Sequence, residues 1–64
     1  MSSIKVTSNK RNRTFTIRTY INGKFLCKYR TIQFDKDEFA ELQHNTENDW
    51  QYFLRHTYDY YKVQ

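Results

Sequence analysis

The chain contains no proline, one glycine and one cysteine among its 64 residues. A single cysteine excludes a disulfide within the chain and indicates a reducing compartment. No apolar run approaches the roughly 20 residues of a membrane span, and the first residues lack the apolar segment of a signal peptide. Because glycine, alanine and proline are scarce beside lysine, asparagine and tyrosine, the composition is typical of phage and plasmid proteins. We therefore expect a cytoplasmic protein without membrane contact, in the host cytoplasm if a phage encodes it.

The length predicts one small domain over residues 1–64. Such a domain buries only roughly 60% of the surface that its unfolded chain exposes, so its stability is limited. Aromatic residues make up 19% of the chain, and they can give a small core unusual density. Association with a second copy, as a homodimer, is a further expected source of stability.

Acidic residues are missing from residues 1–34, which carry eight cations. Residues 35–64 carry three cations and seven carboxylates, so the two parts contribute +8 and −4 to the net charge of +4. An asymmetry between the two halves indicates an electrostatic partner for one of them. The alternative is that the two halves only attract each other.

Alternating apolar and polar residues predict strands over residues 3–8 and 13–20, joined by a polar turn. Asn22-Gly23 then marks a hairpin into a third strand. A two-residue loop would mix apolar and basic side chains on both faces. A three-residue loop, residues 21–23, separates them, because one residue of slip exchanges every side chain between faces. We therefore predict the three-residue loop, with Gly23 in a left-handed bulge.

Two helices are predicted after the strands, over residues 34–45 and 46–64. Asp35 can cap the first helix, and Glu38 follows three residues later. Thr46 with Asp49, or Asn48 alone, can start the second. The second helix has one apolar face of period 3.6 that begins at Trp50 and reaches Tyr61.

These elements predict an α+β fold: a three-stranded antiparallel β-meander packed on one face by two C-terminal α-helices (β-β-β-α-α). One sheet face then remains open to solvent, as antiparallel sheets permit. The inner face and the helices supply a predicted core of Ile4, Val6, Phe15, Ile17, Phe25, Cys27, Phe39, Leu42, Trp50, Phe53, Leu54 and Tyr61.

The open face and its first loop are predicted to bind nucleic acid, with duplex DNA favoured. Basic side chains neutralise phosphates, and a β-ribbon or small sheet can enter the major groove. Arg18, Tyr20 and Arg30 are the candidates for specificity, since arginine can reach a guanine edge and tyrosine can stack on an unpaired base. The full predicted set is Lys5, Lys10, Arg11, Arg13, Arg18, Tyr20, Lys24, Lys28 and Arg30. The alternative role of each lysine is solubility and protection of strand edges.

The run NGKFLCKYR, between a strand and an acid-capped helix, resembles the three-stranded sheet modules with which some phage and transposon integrases bind arm-type DNA. It is also similar to a three-stranded DNA-binding domain of plant transcription factors. The resemblance covers residues 13–42 and is one of architecture, not of family membership. It implies that the sheet lies in the major groove.

A second candidate surface is the outer side of the last predicted helix. Its exposed aromatic residues are typical of protein interfaces. The surface consists of Tyr52, Arg55, His56 and Tyr60. The alternative function is therefore a small modulator or inhibitor that docks on a host protein, through this helix or through the basic sheet face.

Catalytic and metal-binding patterns are weak in this chain. His44 and His56 lie twelve positions apart, and only Cys27 could join them as a soft ligand. A free cysteine on an inner sheet face behaves as a small hydrophobic residue. The carboxylates near residue 35 suit helix capping better than acid–base chemistry. We therefore expect no enzyme, no cofactor and no metal.

Overall fold

The computed structural model describes residues 1–63, which form four strands and two helices. The elements are β1 (Ser2–Asn9), β2 (Thr14–Ile21), β3 (Lys24–Thr31), α1 (Lys36–Leu42), α2 (Glu47–His56) and β4 (Tyr60–Val63). Neighbouring strands are antiparallel, in the order β1-β2-β3-β4. The predicted α+β class with an antiparallel sheet and two helices is confirmed. The sheet has four strands, however, and not three.

The fourth strand replaces the second half of the predicted last helix. α2 ends at His56, and the backbone is already extended at Thr57, with φ −121° and ψ 138°. The chain then pairs with β3, from Thr31 opposite Tyr60 onwards. Aromatic residues also favour strands, and β3 offers unpaired backbone groups that a fourth strand satisfies. Gln64, the last residue of the predicted helix, lies outside the described residues.

The turn between β2 and β3 has two residues, so the predicted three-residue loop is wrong. Asn22 and Gly23 have φ values of 52° and 80°. Two positive φ angles define the type I′ turn that Asn-Gly favours. Ile21 therefore pairs with Lys24 across the turn.

A bulge in β3 corrects the register beyond this turn. Tyr20 pairs with Phe25, but Thr19 pairs with Cys27, which leaves Leu26 as the extra residue. The bulge shifts every later pair, so that apolar and basic side chains still separate onto opposite faces. The predicted separation of the two faces is thus confirmed along most of the hairpin, through a different register.

The core lies between the inner sheet face and the helices. The Phe15 ring centre is 4.9 Å from that of Phe39 and 4.8 Å from that of Trp50. The buried cluster is Phe15, Ile17, Phe34, Phe39 and Trp50, and half-buried Ile4, Val6, Tyr29, Leu42, Phe53 and Leu54 pack against it. Phe25 and Tyr61 were wrongly predicted to belong to this core.

Both helices begin as predicted. The Asp35 side chain accepts a hydrogen bond from the Glu38 amide at 2.8 Å. The Thr46 hydroxyl accepts from the Asp49 amide at 3.2 Å, and Asp49 accepts from the Thr46 amide at 3.0 Å. This reciprocal pair is a capping box, which satisfies two amides that the helix itself cannot pair. Each helix is thereby fixed at its start and holds its aromatic residues over the sheet.

Candidate nucleic-acid interface

The sheet face that points away from the helices is built from rows of side chains that cross the strands. We call this surface the open face. The central row, here the basic row, is Lys5, Arg18 and Lys28, followed by Val63 on β4. The row on one side of the basic row is Thr7, Thr16, Arg30 and Tyr61. The row on its other side is Ser3, Tyr20 and Phe25. The fold therefore gathers four of the predicted cations into two adjacent rows.

The basic row places like charges directly beside one another. Neighbouring strands lie about 4.8 Å apart, and like charges opposite each other destabilise a sheet. None of the four strands contains an aspartate or a glutamate, so the strands themselves supply no compensating charge. Arg18 and Lys28 are half-buried and Lys5 is exposed. An anion that lies across this row relieves the repulsion.

The acidic residues belong to the other layer of the molecule. All seven carboxylates lie within residues 35–59, which hold the helices and their flanks. With Lys36 and Arg55 included, this segment carries a net charge of −5, against +8 for residues 1–34. The division of charge along the sequence is therefore also a division between the two layers.

The loop from β1 to β2 is held in shape by Asn9, the last residue of β1. The Asn9 side-chain oxygen accepts hydrogen bonds from the amides of Arg11 and Asn12, both at 3.1 Å. Asparagine side chains commonly order turns in this way. Lys10 and Arg11 are exposed on the ordered loop. They extend the cationic surface beyond the end of the sheet.

Arg13, one of the residues predicted to contact phosphate, makes hydrogen bonds within the protein. Its Nε donates a hydrogen bond to the Phe34 carbonyl at 2.8 Å, and the Phe34 amide donates to the Arg13 carbonyl at 3.0 Å. Arg13 is half-buried, and its φ of 53° is left-handed. These bonds fasten the loop to the segment between β3 and α1, and they hold Phe34 in the core.

Aromatic rings lie on the open face beside the cations. The Phe25 and Tyr20 rings meet edge to face, with 5.8 Å between their centres, and Lys5 Nζ lies over the Tyr20 ring, 5.8 Å from its centre. Tyr20 is half-buried between these neighbours, whereas Phe25 is 57% exposed. Phe25 therefore presents its ring to solvent in the place where Tyr20 was predicted to act.

The positions of Phe25 and Tyr61 on this face were not predicted from the sequence. A two-residue Asn-Gly loop puts Tyr20 and Phe25 on one face, so the turn signal itself could have revealed Phe25. Tyr61 lies opposite Arg30 and is 48% exposed. Because Tyr61 follows Trp50 at helical spacing, the sequence predicted a helix at this position and not the strand β4.

Lys24 does not join the open face. It pairs with Ile21 beside the turn, one position before Phe25, and successive residues of a strand point to opposite sides. Lys24 is exposed at the tip of the hairpin.

The second predicted surface is only partly assembled. The rings of Tyr52 and His56 lie 4.2 Å apart on the outside of α2, with Tyr52 65% exposed and Arg55 exposed beside them. Tyr60 is absent from this group, because it lies in β4. Its hydroxyl donates to the Leu54 carbonyl. The predicted placement of Tyr60 on the outer side of the helix is therefore wrong.

Other chemistry is sparse in the part of the chain that the structure describes. Among residues 1–63, no three side chains of histidine, cysteine, aspartate or glutamate lie together in a way that could hold a metal ion. Neither α1 nor α2 is long and apolar enough to cross a membrane. Cys27 is buried. A hydrogen bond with the Cys27 thiol, followed by burial and by charge interactions with Cys27 and Tyr60, raises the pKa of Tyr29.

Fold and surface together define a small α+β protein with a cationic, partly aromatic sheet face and an acidic helical layer. No protein-family model, no curated protein and no solved structure matches the chain.

Proposed function

We propose that the open face binds nucleic acid and that the protein acts by binding rather than by catalysis. Lys5, Arg18, Lys28 and Arg30 contact phosphates, and Lys10 and Arg11 add contacts from the loop. The observation that carries the proposal is the basic row, three adjacent cations in a sheet whose strands contain no carboxylate.

A phosphate backbone fits this arrangement because its charges repeat along a line. Each lysine or arginine that meets a phosphate releases counterions, which supplies affinity for any sequence. Thr7 and Thr16 pair across β1 and β2 in the adjacent row, and their hydroxyls suit hydrogen bonds to phosphate oxygens. The acidic helical layer disfavours binding by the opposite side of the molecule.

The experiment is a titration of labelled duplex and single strands, followed by fluorescence anisotropy at low and near-physiological salt. A double variant, Arg18→Gln with Lys28→Gln, removes two charges from the basic row. We expect its log–log salt slope to become shallower by about 1.4 for single strands and about 1.8 for duplex. The matched control, Lys36→Gln with Arg55→Gln, removes two charges from the helical layer.

The control should keep a salt slope close to that of the wild type. Absence of binding to either form at low salt contradicts the proposal. Equal losses in the two double variants also contradict it, because affinity would then follow net charge rather than the open face.

A second candidate function is supported by Tyr52 and His56, whose rings pack together on the exposed side of α2. Such aromatic pairs suit the centre of a protein interface. The corresponding proposal is a modulator that docks on a host protein. Its test compares pull-downs from host extract by the wild type and by a Tyr52→Ala, His56→Ala variant. The proposal requires a protein that only the wild type retains, while nucleic-acid binding is unchanged.

A further inference from the structure

We infer that the open face takes single-stranded nucleic acid, with bases stacked on Phe25 and Tyr61 and phosphates held by the basic row between them. This inference rests on the proposed function and names the form of nucleic acid. It replaces the duplex that the sequence alone favoured.

The width of the sheet argues against a duplex. Strand spacing makes a four-stranded sheet about 14 Å wide between its outer strands, before side chains are added. The major groove is about 12 Å wide. β4 pairs with residues 28–31 and therefore makes that part of the sheet too broad to enter the groove face-on. A flexible single strand can lie across a surface of this width.

Phe25 contributes a ring that phosphate contacts do not need. More than half of the side chain is exposed, and its ring packs edge to face with that of Tyr20, over which Lys5 lies in turn. A phenyl ring has no hydrogen-bonding group for a phosphate or for a base edge. Its flat face can instead stack on an unpaired base, which every base permits and which a duplex does not offer.

Tyr61 supplies a second ring, in the row on the other side of the basic row from Phe25. It lies beside Arg30, and the β2 partners of Phe25 and Arg30, Tyr20 and Thr16, are four residues apart, or about 13 Å at the usual rise of a strand. Lys28 lies between Phe25 and Arg30 on β3. A nucleic-acid strand that crosses the face thus meets the Phe25 ring, then the cations, then the Tyr61 ring. This is the pattern of surfaces that bind single-stranded nucleic acid.

DNA and RNA single strands share the chemistry that this face recognises, because both offer free base faces and a phosphate backbone. The 2′-hydroxyl distinguishes them. The experiment therefore uses one sequence of about 12 nucleotides, within the usual range of site sizes, as single-stranded DNA, as RNA and as duplex DNA.

The decisive variant is Phe25→Ala. Loss of one stacked base should weaken single-strand binding by about 5- to 150-fold, with the salt slope unchanged because no charge is removed. Duplex affinity should stay within about twofold. The matched control is Leu26→Ala, because Leu26 is the adjacent exposed apolar residue and, as the extra residue of the bulge, belongs to none of the three rows of the open face. It should bind as the wild type does.

Tyr61→Ala should weaken single-strand binding in the same range, with Tyr58→Ala as its control. Tyr58 is exposed and lies outside all four strands. A Phe25→Trp variant keeps an aromatic ring and should retain the affinity. Stacking should quench its new exposed indole, while buried Trp50 supplies a constant background.

The outcomes separate this inference from the proposed function. Tighter binding of either single strand than of duplex, lost in Phe25→Ala and kept in Phe25→Trp, supports the inference, and the preferred strand identifies DNA or RNA. Binding that depends on Arg18 and Lys28 but not on Phe25 or Tyr61 overturns the inference and leaves the proposed function standing. Duplex preference overturns it in the same way. Absence of all binding overturns both.

Discussion

The Thr31 hydroxyl oxygen accepts a hydrogen bond from the backbone amide of Phe15 at 2.9 Å, and the Thr31 side chain is fully buried. The Thr31 side chain thus accepts the hydrogen bond that a backbone carbonyl would otherwise accept between β2 and β3. Thr31 itself pairs with Tyr60 of β4. The residue thus joins three strands at the end of the pairing between β2 and β3, where β4 lies along the other edge of β3.

Thr31→Val should destabilise the fold by about 1–3 kcal/mol, because it leaves the buried Phe15 amide without an acceptor. Urea denaturation measures the loss. Thr31→Ser is the control, since it keeps the hydroxyl and removes only a methyl group. Equal stability of the valine variant and the wild type would show that this hydrogen bond does not stabilise the fold.

Trp50→Ala should cost about 3–5 kcal/mol, because the side chain is 3% exposed and packs between two phenylalanines. Thermal and chemical denaturation measure this cost. Trp50→Phe keeps an aromatic ring in contact with Phe15 and Phe53 and should lose less. Unchanged melting of the alanine variant is incompatible with a core centred on this residue.

Gly23→Ala should destabilise the hairpin by about 1–2 kcal/mol through backbone strain alone. The φ of Gly23 is 80°, and an added Cβ would meet no atom within 4 Å. A steric clash therefore cannot explain the loss. Asn22→Gly, at a φ of 52°, should be tolerated, because glycine adopts this region freely. Comparison of the two variants by denaturant midpoint tests the type I′ turn.

Alkaline pH should destabilise the protein through Tyr29, whose pKa the Cys27 contact and burial raise above the ordinary value of 10.0. The folded form holds this proton more tightly than the unfolded chain does. Its contribution to stability is therefore complete below about pH 10 and is lost as the pH rises through the raised pKa. Melting temperatures measured across this range should fall less steeply for Tyr29→Phe than for the wild type.

Tyr58→Phe is the control for this experiment, because Tyr58 is 95% exposed. It should follow the wild-type pH profile. Identical profiles for the Tyr29 and Tyr58 variants would contradict the assignment.

The division of the sheet into two faces could be predicted because it depends only on alternation along each strand. A three-residue loop over residues 21–23 would pair Ile17 with Cys27, and the observed partner of Ile17 is Tyr29, two positions away. A shift of two residues preserves the face of every side chain. The cations of the basic row were therefore placed correctly even though their register was wrong.

The two aromatic residues that the sequence misplaced differ in what decides their position. Tyr61 continues the helical spacing of Trp50 and Leu54, and only the free edge of β3, which is distant along the chain, decides that it joins a strand. Phe25 faces outward because the two-residue Asn-Gly turn pairs it with Tyr20, and the bulge at Leu26 then returns the rest of β3 to separated faces. The turn signal is local, but the alternation of the strands does not contain the bulge that makes this turn compatible with separated faces. The cations of the basic row follow the alternation, so their face could be predicted.

The opposite charges of the two layers give the molecule a dipole moment directed across a body whose shortest dimension is 19 Å. A polyanion turns such a body before contact, so that the sheet faces it when the two meet. A larger share of collisions is then productive, and the association rate constant rises. Added salt screens the electrostatic attraction that turns the molecule, and at physiological ionic strength this attraction extends only about 8 Å. Salt should therefore slow capture more than it speeds release.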